Sequence, residues 1–171
     1  MDIGIVFDPN EPDFRIPLSP GAVSSLIRNN HRVYLLRGAG LGSNFADEDY
    51  QARGAIISYS AEEVYQRAEL LLKVTAPPIQ SISLLNKESI IMAFLHLAVA
   101  SERYIDELLS NEITAIGFEV IANESGELPI LASTSEVAGQ LSIQIAAQYL
   151  QSNMGGRGIL LGVAPGIPPA N

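Results

Sequence analysis

The sequence predicts an α/β fold, a three-layer Rossmann-like (flavodoxin-like) parallel sheet flanked by helices. Two observations carry that expectation. Short apolar runs alternate with helical patterns almost from end to end, which is the signature of βα units rather than of sandwiches or bundles. The run Ile90-Ile-Met-Ala-Phe-Leu-His-Leu-Ala98 is also apolar enough to be a fully buried central strand, and it carries one of only two histidines. The chain has 171 residues, of which 47% are hydrophobic, so a single buried core needs no staples.

Taken in order, Ile3-Gly-Ile-Val-Phe7 is the first strand, and it passes into an acidic, proline-containing loop that carries Arg15. Ser19-Pro20 caps and opens a helix with Val23, Leu26 and Ile27 on its buried stripe. Val33-Tyr-Leu-Leu36 is the second strand, and Gly38-Ala-Gly-Leu-Gly42 follows it as a glycine turn. A dinucleotide fingerprint would need a third glycine where Ser43 stands and a helix at once, so phosphate binding there is the minor reading. A short helix runs from Asp47 to Arg53, and Ala55-Ile-Ile-Ser-Tyr59 is the next strand. Ser60 and Glu63 form a capping box for the helix through Val64 and Ala68. Leu70-Leu-Leu-Lys73 is a strand, Ser81 to Asn86 a short helix, and the strand ending on His96 comes next. Ser101 caps a helix with Tyr104, Ile105, Leu108 and Leu109 on its stripe, and Ile113 to Val120 is a further strand. Leu128-Pro-Ile-Leu131 reads as extended. Ser133-Thr-Ser-Glu136 reads as a second capping box opening the longest helix, with Val137, Leu141, Ile145 and Tyr149 on one face. The expected organisation is therefore an α/β domain over 1–132, a connecting helix over 133–153 and a Gly/Pro-rich linker over 154–171.

Composition narrows function by exclusion. A formal charge of -9 argues against nucleic acid and anionic membranes as partners. The absence of cysteine rules out disulfides and Cys-based metal sites, and no metal site is expected. No apolar stretch reaches the length of a membrane span, and Met1-Asp2 leads straight into a strand, so a cytoplasmic protein without membrane insertion is the expectation.

Open α/β sheets hold ligands at the carboxyl ends of their strands. Three cation-capable residues sit there by this reading: Arg15 after the first strand, Lys73 closing the fourth and His96 closing the fifth. Together they suit an anion held beside an imidazole, although the same placement fits a hydrogen-bonded core histidine and a lysine with a buried stem. Glu119 is a carboxylate facing the same end, or a salt-bridge partner. Thr134 and Ser135, at a helix start with free N–H groups, could receive an anion or serve simply as caps.

Several ordered motifs resemble the amino-terminal part of the alanine dehydrogenase and pyridine nucleotide transhydrogenase family. They are Arg15-Ile-Pro-Leu-Ser-Pro20, Gly38-Ala-Gly-Leu-Gly42 with Phe45-Ala-Asp47, Leu71-Leu-Lys-Val74, Phe94-Leu-His-Leu-Ala98, Ser135-Glu-Val-Ala-Gly139 and Gly155-Gly-Arg-Gly-Ile-Leu-Leu-Gly162. Phe94-Leu-His-Leu-Ala98 and Ser135-Glu-Val-Ala-Gly139 resemble the alanine dehydrogenase branch, which turns L-alanine into pyruvate and ammonia with NAD. The resemblance implies that Arg15 and Lys73 hold the carboxylate and carbonyl of a small 2-oxo or amino acid. It implies His96 as the general acid/base and Ser135, beside Thr134, as a contact to the dinucleotide.

Departures from the family pattern fall at Phe7-Asp8, Phe118, Ser133-Thr134 and Gln140. The family's linker runs into a glycine-fingerprint NAD-binding half that also supplies a catalytic aspartate. Hydride transfer is therefore not expected from these residues alone, NAD is expected through an NAD-binding domain in cis or in trans, and a homo-oligomer is expected. The alternatives are an accessory domain like that of a transhydrogenase alpha subunit, or a non-enzymatic assembly or sensing module.

Overall fold

The computed structural model describes residues 1–11, 13–162 and 165–166, and it divides into two units, Met1–Ile121 and Ala122–Asn171. The first unit is a six-stranded sheet of β1 (Asp2–Ile5), β2 (Arg32–Leu36), β3 (Ile56–Ser58), β4 (Leu70–Thr75), β5 (Ile90–Phe94) and β6 (Thr114–Gly117). Every pairing is parallel, and the strand order is β3-β2-β1-β4-β5-β6. Of the doubly wound orders this is the Rossmann one, whose chain direction across the sheet reverses between β1 and β4.

The three layers follow from the alternation of side chains along buried strands. Ile3, Ile5, Val33, Leu35 and Leu72 pack on one face with Val23 of α1 (Pro20–Arg28) and Tyr50 of α2 (Asp47–Gln51). Val6, Leu71, Ile91 and Ala93 pack on the other with Val64 and Tyr65 of α3 (Ala61–Arg67), Ile82 of α4 (Ile79–Ile82) and Leu108 of α5 (Glu102–Ser110).

Helix starts are fixed by hydroxyl caps: Ser19 accepts from the Ala22 N–H, Ser60 from Glu63 and Ser101 from Tyr104. Each is worth about 1 kcal/mol. The reciprocal half of the box at Ser60 does not form, because the Glu63 carboxylate is taken by the Ser58 hydroxyl at 2.7 Å and by Arg67 Nε at 2.9 Å.

Two elements differ from the sequence expectation in ways that bear on the site. β6 stops at Gly117, and Phe118–Val120 form a 3-10 turn. In the second unit α6 spans Pro129–Leu150, so the segment expected to be extended is helical, and the helix expected over 133–153 starts and ends earlier. Proline at the first helical position needs no N–H partner, and the Ala132 N–H already donates to the Leu128 carbonyl at 2.8 Å. The expected apolar stripe Val137, Leu141, Ile145 and Tyr149 is exposed. Of the expected linker, Val163, Ala164 and 167–171 lie outside the described residues. No helix among the described residues is long and apolar enough to cross a membrane.

Candidate functional site

The reversal between β1 and β4 opens a crevice at the carboxyl ends of those strands, and the loop after β1 folds into it. The Asp8 carboxylate accepts from the Asn10 N–H at 2.9 Å, and the Glu11 N–H donates to the Asp8 carbonyl at 3.1 Å. This turn aims Glu11 back at β4. Its carboxylate accepts from Lys73 Nζ at 3.0 and 3.1 Å and from Thr75 Oγ1 at 2.7 Å. Lys73 was expected to close its strand, as a cation of the site or as a lysine with a buried stem; it lies inside β4, its side chain is 3% exposed, and its charge is already met by Glu11. The reason is energetic, since an ammonium out of water costs several kcal/mol unless a partner and hydrogen bonds compensate it. The cleft left beside it, lined by Val6, Glu11, Asp13, Arg15, Lys73 and Thr75 among others, holds only about 10 Å³.

Arg15 borders that cleft and also a larger cavity of about 390 Å³ lined by Phe7, Phe14, Ala39 and Leu41. Its guanidinium grips Asp13 in a two-pronged pair, Nε to Oδ1 at 2.9 Å and Nη2 to Oδ2 at 2.6 Å. The hydrogen bond from Arg15 holds the Asp13 carboxyl below its ordinary range, against desolvation that pushes it up, with the positive charge of Lys73 adding a smaller pull. Just over half of the Arg15 side chain, 57%, remains exposed, so the guanidinium is both oriented and reachable.

The glycine turn seats this loop. A Cβ on Gly42 would lie 2.7 Å from Phe14 Cβ, and one on Gly40 would lie 2.6 Å from Tyr50 Cε2 and 2.7 Å from the Phe45 carbonyl oxygen. Protein atoms therefore occupy the space that glycine leaves open. The Ser43 hydroxyl donates to the Phe14 carbonyl at 3.0 Å, and Asp47 accepts from the Gly38 N–H at 2.8 Å.

His96 stands two residues beyond the end of β5, in the left-handed region at φ 48 and ψ 42. Its ring is stacked on Phe94, with centroids 6.2 Å apart. It lines a separate cavity of about 420 Å³ with Val99, Ile116, Glu119 and Val120, so Arg15 and Lys73 share a cleft that His96 does not line.

The Glu119 carboxylate accepts from the His96 N–H at 2.7 Å and from the Leu95 N–H at 3.3 Å. That clamp depends on Gly117, where a Cβ would fall 2.6 Å from Glu119 Oε1. Glu119 is thus a positioning residue that the sequence flagged only as a carboxylate at the right end. Glu119→Ala is expected to cost about 1–2 kcal/mol and to let His96 leave its left-handed conformation. The measurement is the His96 amide proton resonance, which should move upfield in Glu119→Ala; an unchanged resonance would remove Glu119 from this role.

At α6 the structure overturns the reasoning from a helix start. Ser133 and Thr134 lie past the first turn, where their hydroxyls donate back to the Pro129 and Leu131 carbonyls at 2.9 Å. Backbone N–H groups at Thr134 and Ser135 are inside the helix, not at its free end. No cluster of His, Cys, Asp and Glu fit for a metal occurs among the described residues.

A family model described as "Alanine dehydrogenase/PNT, N-terminal domain" matches residues 4–138. The chain belongs to this family. It is 41% identical over 170 residues to an alanine dehydrogenase of Mycolicibacterium smegmatis, a match covering 99% of this chain and 46% of the relative. It is 40% identical over 167 residues to an alanine dehydrogenase of Bacillus subtilis, covering 98% and 43%. A solved L-alanine dehydrogenase superposes with a TM-score of 0.91 at 37% identity, over 99% of this chain and 46% of that one. A transhydrogenase structure from Sinorhizobium meliloti shares the fold, with a TM-score of 0.65 at 24% identity over 72% of this chain and 36% of its own. The chain thus spans about half the length of the curated alanine dehydrogenases it matches.

Proposed function

We propose that this family member is the substrate-binding half of an alanine dehydrogenase-type enzyme and receives a small 2-oxo acid, pyruvate or a close analogue, at the carboxyl ends of β1, β4 and β5. The observation that carries the reading is the shared cleft of Arg15 and Lys73 at the β1/β4 reversal, with His96 just past Phe94, the residue that pairs with Thr75 across β4 and β5. Arg15, held by Asp13 yet exposed, orients the substrate carboxylate through charge-assisted hydrogen bonds. His96 exchanges a proton with the oxygen or nitrogen at the carbonyl carbon, a task suited to an imidazole near neutral pH. Lys73 lines the same cleft, paired with Glu11, and in this reading meets the substrate only when Glu11 moves aside.

NAD supplies the hydride chemistry in this reading, and it sits on a second domain, in cis or in trans. Ser135 contacts it at most through its side chain.

Calorimetric titration of the full chain with pyruvate tests the substrate assignment. Binding with a Kd on the order of 1 mM, about -4 kcal/mol, is expected. Arg15→Ala should weaken it at least about tenfold. Absence of heat, together with unmoved Arg15 Nε and His96 ring resonances, would exclude the site in this chain.

A further inference from the structure

We propose that α6 is a self-association surface, on which two copies of this chain pair antiparallel through Val137, Leu141, Ile145 and Tyr149. No residue of the second unit is buried among the described residues. Its helix runs for 22 residues with Glu136 as the only charged one, and the four stripe residues are 46% to 64% exposed. Ile143, off that stripe, is exposed as well. A surface helix carries charge on its water side, and one that is apolar on more than one side is a helix that something covers. A membrane does not supply the cover. The helix is not apolar enough to span one, and a helix lying on a bilayer carries lysine or arginine along its polar face, which α6 lacks.

Charge selects a second copy as the occupant. At a formal -9, two copies repel each other through most of their surface. The helices of the first unit carry much of that charge, with Asp47, Glu48 and Asp49 on α2, Glu62 and Glu63 on α3, and Glu102, Asp106 and Glu107 on α5. On α6 the stripe is flanked instead by Gln140, Gln144 and Gln148, a polar rim without repulsion around an apolar centre. The same charges fix the direction. Parallel pairing would set the two Glu136 side chains together and align the helix dipoles, whereas antiparallel pairing puts Glu136 at opposite ends and opposes the dipoles. Under the two-fold, Leu141 of one copy meets Ile145 of the other, and Val137 meets Tyr149. The stripe and its neighbours bury on the order of 1,000 Å² over both copies, the threshold of a specific interface. The dimer is therefore weak, with a Kd on the order of 10 μM. A helix of this length is marginal by itself in water, so pairing and helix content rise together. None of these residues lines the cavities at β1, β4 or β5, so the inference stands apart from the reading of the ligand site.

The test is sedimentation equilibrium of the full chain from about 1 to about 200 μM. The mass should pass from one chain to two across that range, and the helical circular-dichroism signal should rise with it. Leu141→Glu and Ile145→Glu should each weaken association at least about tenfold. Ile143→Glu, off the stripe, and Leu109→Glu, at an exposed position on α5, should leave the Kd unchanged. Should Leu141→Glu fail to fold, Leu141→Ala carries the same comparison with a several-fold loss expected. The chain has no cysteine, so introduced thiols report the direction of pairing. A mixture of Val137→Cys and Tyr149→Cys chains should cross-link between copies under mild oxidation. Val137→Cys alone should not, because its two thiols lie about 18 Å apart along an antiparallel pair. A one-chain mass at every concentration would overturn the proposal and leave the face to a different protein or domain. Association unchanged in both Leu141→Glu and Ile145→Glu, or Val137→Cys linking to itself, would overturn it too.

Discussion

Glu11→Ala is expected to cost about 3–5 kcal/mol in urea unfolding at neutral pH, while Lys73→Met costs about 1 kcal/mol, although the two residues form one ion pair. The asymmetry comes from where each partner can go when the other is lost. Lys73 lies within β4 at 3% exposure, so without Glu11 its charge stays where water cannot reach it. Glu11 lies on a loop at 26% exposure, and without Lys73 its carboxylate turns outward while Met fills the space of the lysine stem. The double variant should then lie close to Lys73→Met alone, because with the ammonium gone Glu11 has little left to neutralise. A double-mutant cycle measures this directly as a coupling of about 3–5 kcal/mol, the size of the Glu11→Ala loss itself. Additive losses would mean that the pair is solvated and that the crevice at β1 and β4 is wetter than its geometry indicates.

The same pair marks where reading the sequence stops. The parallel sheet was legible because Ile3-Gly-Ile-Val, Leu70-Leu-Leu and Ile90-Ile-Met-Ala are apolar on both faces, and that pattern belongs to strands covered by helices on each side. The carboxyl end of the sheet as the place for Arg15, Lys73 and His96 was an expectation from the fold; Lys73 lies inside β4 and His96 lines a cavity separate from the cleft of the other two. What charge each would meet did not follow from the fold, because the partners are loop and turn residues whose side chains are aimed by backbone geometry. Glu11 is sixty-two positions from Lys73 and Glu119 twenty-three from His96, and no periodicity links such pairs. The start of α6 was misplaced for a local reason: Ser133-Thr-Ser-Glu136 satisfies the capping-box pattern, but Pro129 had already opened the helix four residues earlier. A hydroxyl inside a helix bonds its own preceding turn, as Ser133 and Thr134 do. The glycines of 38–42 were read as a turn, and the structure adds what fills the space they leave.

Two of those glycines should respond differently to the same added methyl group, one mainly in stability and the other mainly in binding. In Gly40→Ala the new Cβ meets the Tyr50 ring at 2.6 Å and the Phe45 carbonyl oxygen at 2.7 Å. Neither can yield: the Tyr50 side chain is fully buried, and its hydroxyl, pushed up to about 12 by burial, donates to the Leu18 carbonyl at 2.8 Å. A stability loss of about 3 kcal/mol is expected, at the upper end for overpacking a core. In Gly42→Ala the clash is with Phe14, at 2.7 Å to Cβ and 2.9 Å to the carbonyl oxygen. Phe14 is 70% exposed, so this loop can move outward. Stability should fall by only about 1 kcal/mol, but the loop carries Arg15 as the next residue and would break the Ser43 hydroxyl bond to the Phe14 carbonyl. Pyruvate affinity should therefore drop several-fold in Gly42→Ala, and the Arg15 Nε resonance should shift. If Gly42→Ala loses as much stability as Gly40→Ala, or binds pyruvate like the parent, then the glycine turn does not position Arg15. The family motif at 38–42 would then owe its glycines to packing alone.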